Sequence, residues 1–493
     1  MEEVKILAKN NDTIELLASP DEPPLMRGDY LLIADGDKKL LAQIIDIEYA
    51  DVPGILEDTL RELASESISV KNFDPYNIGS ILVGVKDSRR IIAKFRGVIA
   101  NGVLRNDVIW LPSRFNSRIE RASPELISEL SRSAGRRQLI IGECMKGVMA
   151  INAEDLDGRL TIITGKKETG KSHLTKLLIT SLAEYGAKII VLDINGEYLG
   201  LSQTVNGEAS RIADKHLVLT PGENFKASLE DAGLKTMIDI LQYILGTPAT
   251  SIREFVRIWN MVEKYEGQVT LRGIMDAIAR AQMHESVREA LMSRLLSLAE
   301  SEFFSDEDPT KLEDILNSKK NGGIFVVDLS KCIPQTRKII VEYLLSRLSS
   351  LLRSGVIDPL FLVAEEAHLY LRETYWDDLI TRMRHIGLFP IFVTNQPDSI
   401  PETVYRQADN IFLFNFTNES DLNYISKASR IDADTVKKIA KMLPPRYCLV
   451  IGKVVNDLPI VVRVRDLELK TMGETKLLFK ADASCNRGQN PSM

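Results

Sequence analysis

Cysteine is scarce in this chain. Its four copies, Cys144, Cys332, Cys448 and Cys485, lie far apart and form no C-x-x-C pair, which suggests neither a zinc site nor a disulfide framework and suits a reducing compartment. Long apolar runs are missing too: none approaches the roughly 18 to 20 residues of a spanning helix, and Met1-Glu2-Glu3 is a poor start for a secretory signal. The expectation is a cytoplasmic protein with no membrane partner. Positive charge is not in excess either. With 62 Lys and Arg against 69 Asp and Glu, the net charge is −7, so any contact with a polyanion has to come from a local basic strip or an assembled pore. No internal repeat or long low-complexity tract is present.

What is present is ordinary for a globular chain: 44% hydrophobic and 27% charged residues over 493 positions, enough for two or three domains with sizeable cores. The most informative stretch is Ile162 to Ser172, IITGKKETGKS. A β-branched run leads into G-x-x-x-x-G-K-S, and an apolar-periodic helix follows it, which is the context a phosphate-binding loop requires. Gly165 and Gly170 permit the tight turn, and the backbone of Lys166, Lys167, Glu168 and Thr169 supplies a ring of N–H donors. Lys171 is expected to reach the β- and γ-phosphates of ATP and Ser172 to hold Mg²⁺, with His173 completing the nucleotide-binding segment at the helix start. Lys166, Lys167 and Glu168 stand where small residues are common.

In chain order, short β-rich runs from Val4 to about Leu111 predict a small β-barrel over 1–115, interrupted by a helical piece near Pro53 to Glu66. Ser123 to Ser133 reads as a helix, leading through Arg136, Arg137 and QLIIGE into a main domain where strands and helices alternate. That order predicts an α/β fold with a mostly parallel sheet, its first part at 116–228. Asp193 and Glu197, in AKIIVLDINGEY, fall at a strand's carboxyl end, where ligands bind in such sheets. Between about Leu229 and Ile315 helical periodicity takes over, predicting an inserted helical subdomain over 229–315. The core resumes at 316–470, and 471–493 reads as a tail.

In PLFLVAEEAHLYL the apolar strand ends in two acids. Glu365 occupies the place of a metal-binding acid and Glu366 that of a general base. His368 reads as a packing residue, since E-E-A-H lacks the spacing of a zinc site. The strand LFPIFVTNQP ends in Asn395 and Gln396, candidates for sensing the γ-phosphate or orienting water, and Arg382 and Arg384 lie just upstream in TRMRHIG.

Taken together, the loop GKKETGKS, the segment DINGEY, the helical insertion, the acid pair, R-H-I-G before NQP, and the closing VIGKVVNDLPIVVRV resemble the HerA family of DNA translocases, relatives of the FtsK pumps. Glu365 departs from the usual Asp of that family, and His385 from the usual Lys. The resemblance implies a RecA-like P-loop ATPase with an N-terminal β-barrel, a homohexameric ring around double-stranded DNA, and a NurA-type nuclease partner in recombinational repair. By motif match it gives Lys171 and Ser172 to nucleotide and metal, Glu365 to the metal, Glu366 the general base, Gln396 the sensor and Arg384 a finger for the neighbouring site, with Arg382 its rival. Two other functions fit the residues: a related motor for conjugation or secretion, and a scaffold that binds ATP without turning it over.

Overall fold

The computed structural model describes residues 4–19, 22–50, 88–105, 110–133, 135–371, 381–382, 384–428 and 432–472. The N-terminal strands are β1 (Val4–Asn10), β2 (Thr13–Ala18), β3 (Tyr30–Asp35), β4 (Lys38–Tyr49), β5 (Arg89–Ala100), β6 (Val103–Arg105) and β7 (Arg118–Arg121). They form an antiparallel sheet in the order β1-β2-β5-β4-β3-β7, with β6 on β5. Register shifts at Leu41/Ala42 and Ile44/Asp46 of β4 bend it, and Ile14, Leu16, Leu31, Ile33, Leu40, Ile44 and Ile91 fill its concave side. Of the small β-barrel expected over 1–115, the described residues show a curled antiparallel sheet whose strand path ends at β1 and β7. The helical piece at 53–66 and the run SILVGV lie outside the described residues.

The rest of the chain builds around one large sheet. Helix α1 (Pro124–Ser131) starts at the Ser123 hydroxyl, which accepts from the Leu126 N–H, the usual way of satisfying a first-turn donor. Then come β8 (Gln138–Cys144), β9 (Gly147–Asn152), β10 (Thr161–Thr164), α2 (Lys171–Glu184), β11 (Lys188–Asp193) and β12 (His216–Leu219). The insertion follows as α3 (Leu229–Asp239), α4 (Ala249–Glu266), α5 (Leu271–Arg280), α6 (Glu285–Glu300) and α7 (Leu312–Asn317). Its apolar stripes, Phe255, Trp259, Ile274, Ile278, Leu291, Leu295 and Leu298, meet in one buried core, as helical periodicity requires. The chain returns through β13 (Gly323–Asp328), α8 (Pro334–Arg353), β14 (Leu360–Glu365), β15 (Leu388–Thr394), α9 (Glu402–Gln407), β16 (Asn410–Leu413), α10 (Glu419–Ala428), α11 (Ala433–Ala440), β17 (Tyr447–Gly452) and β18 (Ile460–Val464).

Strand order is β12-β13-β11-β14-β15-β10-β16-β17-β18-β8-β9. From β12 to β16 every pair is parallel, and from β16 to β9 every pair is antiparallel. The parallel strands read as unbroken apolar runs, KIIVLD, GIFVVD, LFLVAE and LFPIFVT, and are buried along their whole length, because such strands are covered on both faces. The run QLIIGE, read as a linker, is β8, paired with β18.

The two sheets are bolted together. Arg96 of β5 pairs with Asp432 at 3.1 Å and donates to Thr435 Oγ1 at 2.6 Å, while Lys94 meets Asp432 at 2.9 Å. Tyr30 and Gln43 both donate to the Pro459 carbonyl. Among the described residues no helix is long and apolar enough to cross a membrane.

Candidate active site

The phosphate-type loop leaves the sheet at β10, whose neighbours β15 and β16 both run parallel to it. Gly165 is forced by packing: a Cβ there would lie 2.4 Å from Phe414 Cβ, a contact that no small shift relieves. Gly170 sits at φ 114 and directly precedes α2, a conformation that costs a side chain dearly. Elsewhere the loop is held by main-chain bonds: the Lys166 N–H donates to the Asn415 carbonyl at 2.9 Å and the Arg446 N–H to the Thr169 carbonyl at 2.9 Å. Asn415 is itself tied through its amide to the Lys441 and Leu443 carbonyls. Lys166, Lys167 and Glu168 are exposed. Lys167 and Glu168 nevertheless line the same cavity as Lys171 and Ser172. Glu168 adopts φ 63.

Lys171 is buried at 8% exposure, and its ammonium donates to the Lys166 carbonyl at 2.8 Å across the loop. Burial lowers its pKa, while Glu366, Glu365 and Glu197 pull in the opposite direction. Lys171 and Ser172 share a cavity of about 500 Å³ with Glu197, Glu365, Glu366, Asn395 and Gln396, at the carboxyl ends of the parallel strands, where an α/β sheet opens a crevice. Glu366 follows β14 in the left-handed region at φ 46, a strain that the surrounding structure has to over-determine. Its carboxylate accepts from Thr394 Oγ1 at 3.2 Å and from the Asn395 N–H at 3.3 Å, and His368 Nδ1 lies 3.7 Å away.

Glu365 is buried, at 2% exposure. Its Oε1 accepts from the Tyr198 hydroxyl at 2.6 Å, whereas Oε2 is buried with no hydrogen-bond partner. Burial and the nearby Glu197 push its pKa up to about 8, against the Tyr198 hydrogen bond. Tyr198 and its neighbour Lys176, whose ammonium lies 5.3 Å from the tyrosine ring centre and 3.8 Å from Glu197, were not among the sequence candidates. The DINGEY segment carries the tyrosine, but a tyrosine after a strand has no chemical signature until its partner is known.

The remaining candidates fall elsewhere. Asp193 is wholly buried and turned onto the N–H groups of Asn195, Glu197 and Tyr198 at 2.9 to 3.2 Å, so it builds the turn that presents Glu197. His173 Nε2 contacts the Arg465 carbonyl at 2.7 Å. Arg384 precedes β15, at the end opposite Thr394, which leaves it about 20 Å from the loop at the usual strand rise. There it pairs with Asp409 at 2.9 Å and donates to the Gly158 carbonyl at 3.1 Å. Arg382, two residues away, lines a separate cavity along α3 and α8.

Chemically, this arrangement offers main-chain donors, one buried cation and two adjacent carboxylates around a polyanion-sized space. It also fits Mg²⁺. The buried Glu365 Oε2 lacks a partner, and no group of three or more His, Cys, Asp or Glu ligands occurs among the described residues, so a cation here would complete its shell from phosphate oxygens and water, as Mg²⁺ commonly does.

Sheet order and loop together define a P-loop ATPase. The fold is similar to that of VirB4 of Thermoanaerobacter pseudethanolicus, with a TM-score of 0.54 at 14% identity over 68% of this chain and 99% of that one. It is similar also to the bacterial conjugative coupling protein TrwB, with a TM-score of 0.51 at 14% identity over 70% of this chain and 92% of that one. Residues 162–348 match the family described as "Helicase HerA, central domain". The chain is 22% identical to the DNA double-strand break repair helicase HerA of Saccharolobus solfataricus over 92% of this chain and 90% of that one. A probable helicase of Methanocaldococcus jannaschii is 20% identical over 91% of this chain and 88% of that one.

Proposed function

We propose that this chain is an ATP-driven motor that translocates double-stranded DNA, working in the cytoplasm as a homohexameric ring and processing DNA ends for recombinational repair with a NurA-type nuclease. The observation that carries the ATPase part is the convergence of Lys171, Ser172, Glu365, Glu366 and Gln396 on one cavity. The DNA part is supported by relatives named as repair helicases that align over 92% of the chain. The curled N-terminal sheet, read as a small barrel, serves as an assembly module.

In this reading the loop amides and Lys171 bind the β- and γ-phosphates of ATP. Ser172 and Glu365 would hold Mg²⁺, which would supply charge neutralisation to the phosphates. Glu366 accepts the proton of the water that attacks the γ-phosphorus, and the β,γ-bridging oxygen departs with ADP. Gln396, with Asn395, orients that water. Arg384 lies before β15, at the strand end opposite the loop, so it is assigned to the site of a neighbouring subunit, where a second cation offsets the developing charge. A chain of net charge −7 binds duplex through the ring, which repeats each local cation around a pore and makes several phosphate contacts at once.

The test is ATP hydrolysis with and without duplex DNA, combined with sizing of the assembly. Turnover that rises several-fold with duplex, by a hexamer, is the expected result. Turnover indifferent to DNA would point instead to a motor for conjugation or secretion, and binding without turnover to a scaffold.

A further inference from the structure

We infer that Tyr198 is the positioning residue for the metal-side acid, Glu365, and that it selects which carboxylate oxygen is left for a cation. This inference rests on the nucleotide reading of the loop. Glu365 carries one methylene more than an aspartate would, so its carboxylate has an additional rotatable bond to fix. One contact fixes it directly, and two more hold the groups on either side of that contact. The Tyr198 hydroxyl donates to Oε1 at 2.6 Å in a buried setting, where a hydrogen bond is stronger than in water. The Tyr198 main chain is anchored by its own N–H to Asp193 Oδ2 at 2.9 Å. The Tyr370 hydroxyl donates to the Glu365 carbonyl at 2.8 Å, which pins the backbone of the same residue.

Tyr198 itself has little freedom. It is wholly buried, and the Lys176 ammonium lies 5.3 Å from its ring centre. With Oε1 committed to the hydroxyl, Oε2 is the atom without a partner, and Glu365 is among the residues lining the cavity with Ser172. The tyrosine therefore does for the glutamate what a shorter side chain does for aspartate: it removes a rotamer choice, and a single oxygen is presented. Partners that orient a metal ligand in this way typically change metal affinity by roughly 10- to 100-fold when lost.

The experiment measures binding of a fluorescent ADP analogue to the full chain, first in EDTA and then across a Mg²⁺ titration. Tyr198→Phe keeps the ring over Lys176 and deletes only the hydroxyl. The expected result is EDTA affinity within about twofold of the unsubstituted chain and a Mg²⁺ midpoint raised roughly tenfold or more. The same titration on Glu365→Gln, alone and combined with Tyr198→Phe, separates positioning from general loosening. If Tyr198 acts through the Glu365 carboxylate, adding Tyr198→Phe to Glu365→Gln moves the midpoint no further. An unchanged midpoint in Tyr198→Phe, or an equal additional shift in the double variant, would overturn the inference while leaving the nucleotide reading intact. Failure of the unsubstituted chain to bind the analogue at all would overturn both.

Discussion

Substituting Asp432→Asn tests the joint between the N-terminal sheet and the ATPase core. Asp432 caps α11, accepting from the Thr435 N–H at 2.8 Å and the Thr435 hydroxyl at 2.9 Å. It also meets Lys94 and Arg96, whose side chains are only 8% and 9% exposed. Burial alone would raise its pKa, but the Thr435 amide and hydroxyl, Lys94 and Arg96 together lower it from 3.8 to about 2. That interval corresponds to about 2.4 kcal/mol at 1.36 kcal/mol per pH unit, and solvent screening of a side chain that is 26% exposed reduces it to roughly 1–2 kcal/mol. Asparagine keeps the cap, since it is as good an N-cap residue as aspartate, so the loss reports the charge.

The sign follows from the direction of the shift. Because the folded-state value lies below the unfolded one, the stabilisation is fully present above pH 3.8 and is lost as pH falls through about 2. Thermal melts followed by intrinsic fluorescence should show Asp432→Asn lowered by roughly 1–2 °C at neutral pH, with the difference falling to about half by pH 3. A difference that is the same at pH 7 and pH 3, or none at either, would refute the assignment of the joint to this charge network.

The other predictions concern the site. Lys171→Ala removes the buried cation of the loop, so turnover should vanish while the chain still folds; ordinary ATPase rates would sink the loop assignment. Glu366→Gln keeps the shape and removes the base, so nucleotide should still bind while hydrolysis falls by roughly 10²-fold or more; loss of binding would make Glu366 a structural acid. Arg384→Ala should bind ATP and assemble yet hydrolyse about 10³-fold more slowly, and mixing it with Lys171→Ala subunits should restore part of the turnover. Near-normal hydrolysis by Arg384→Ala alone would reduce the residue to its pair with Asp409.

The sequence by itself determined the local chemistry. Glycine, lysine and serine at fixed spacing after an apolar run place a phosphate loop between strand and helix because only that backbone path suits them, and two acids closing LFLVAEE fall at a strand end because the apolar run before them has to be buried. Helical periodicity likewise marked the insertion, whose stripes form one core. Pairings between distant segments were decided only in three dimensions. Nothing in QLIIGE says that it joins the large sheet between β18 and β9, since its partners lie elsewhere in the chain. Nothing in the N-terminal runs fixes whether their sheet closes, because closure depends on how its edges meet. Asp193 and Glu197 looked equivalent in DINGEY; the turn sends one onto backbone amides and the other into the cavity. Arg384 looked close to Gln396, yet the two stand at opposite ends of β15. Tyr198 and Glu365 are 167 residues apart in the chain, and a hydrogen bond of that kind exists only because two parallel neighbours, β11 and β14, end side by side.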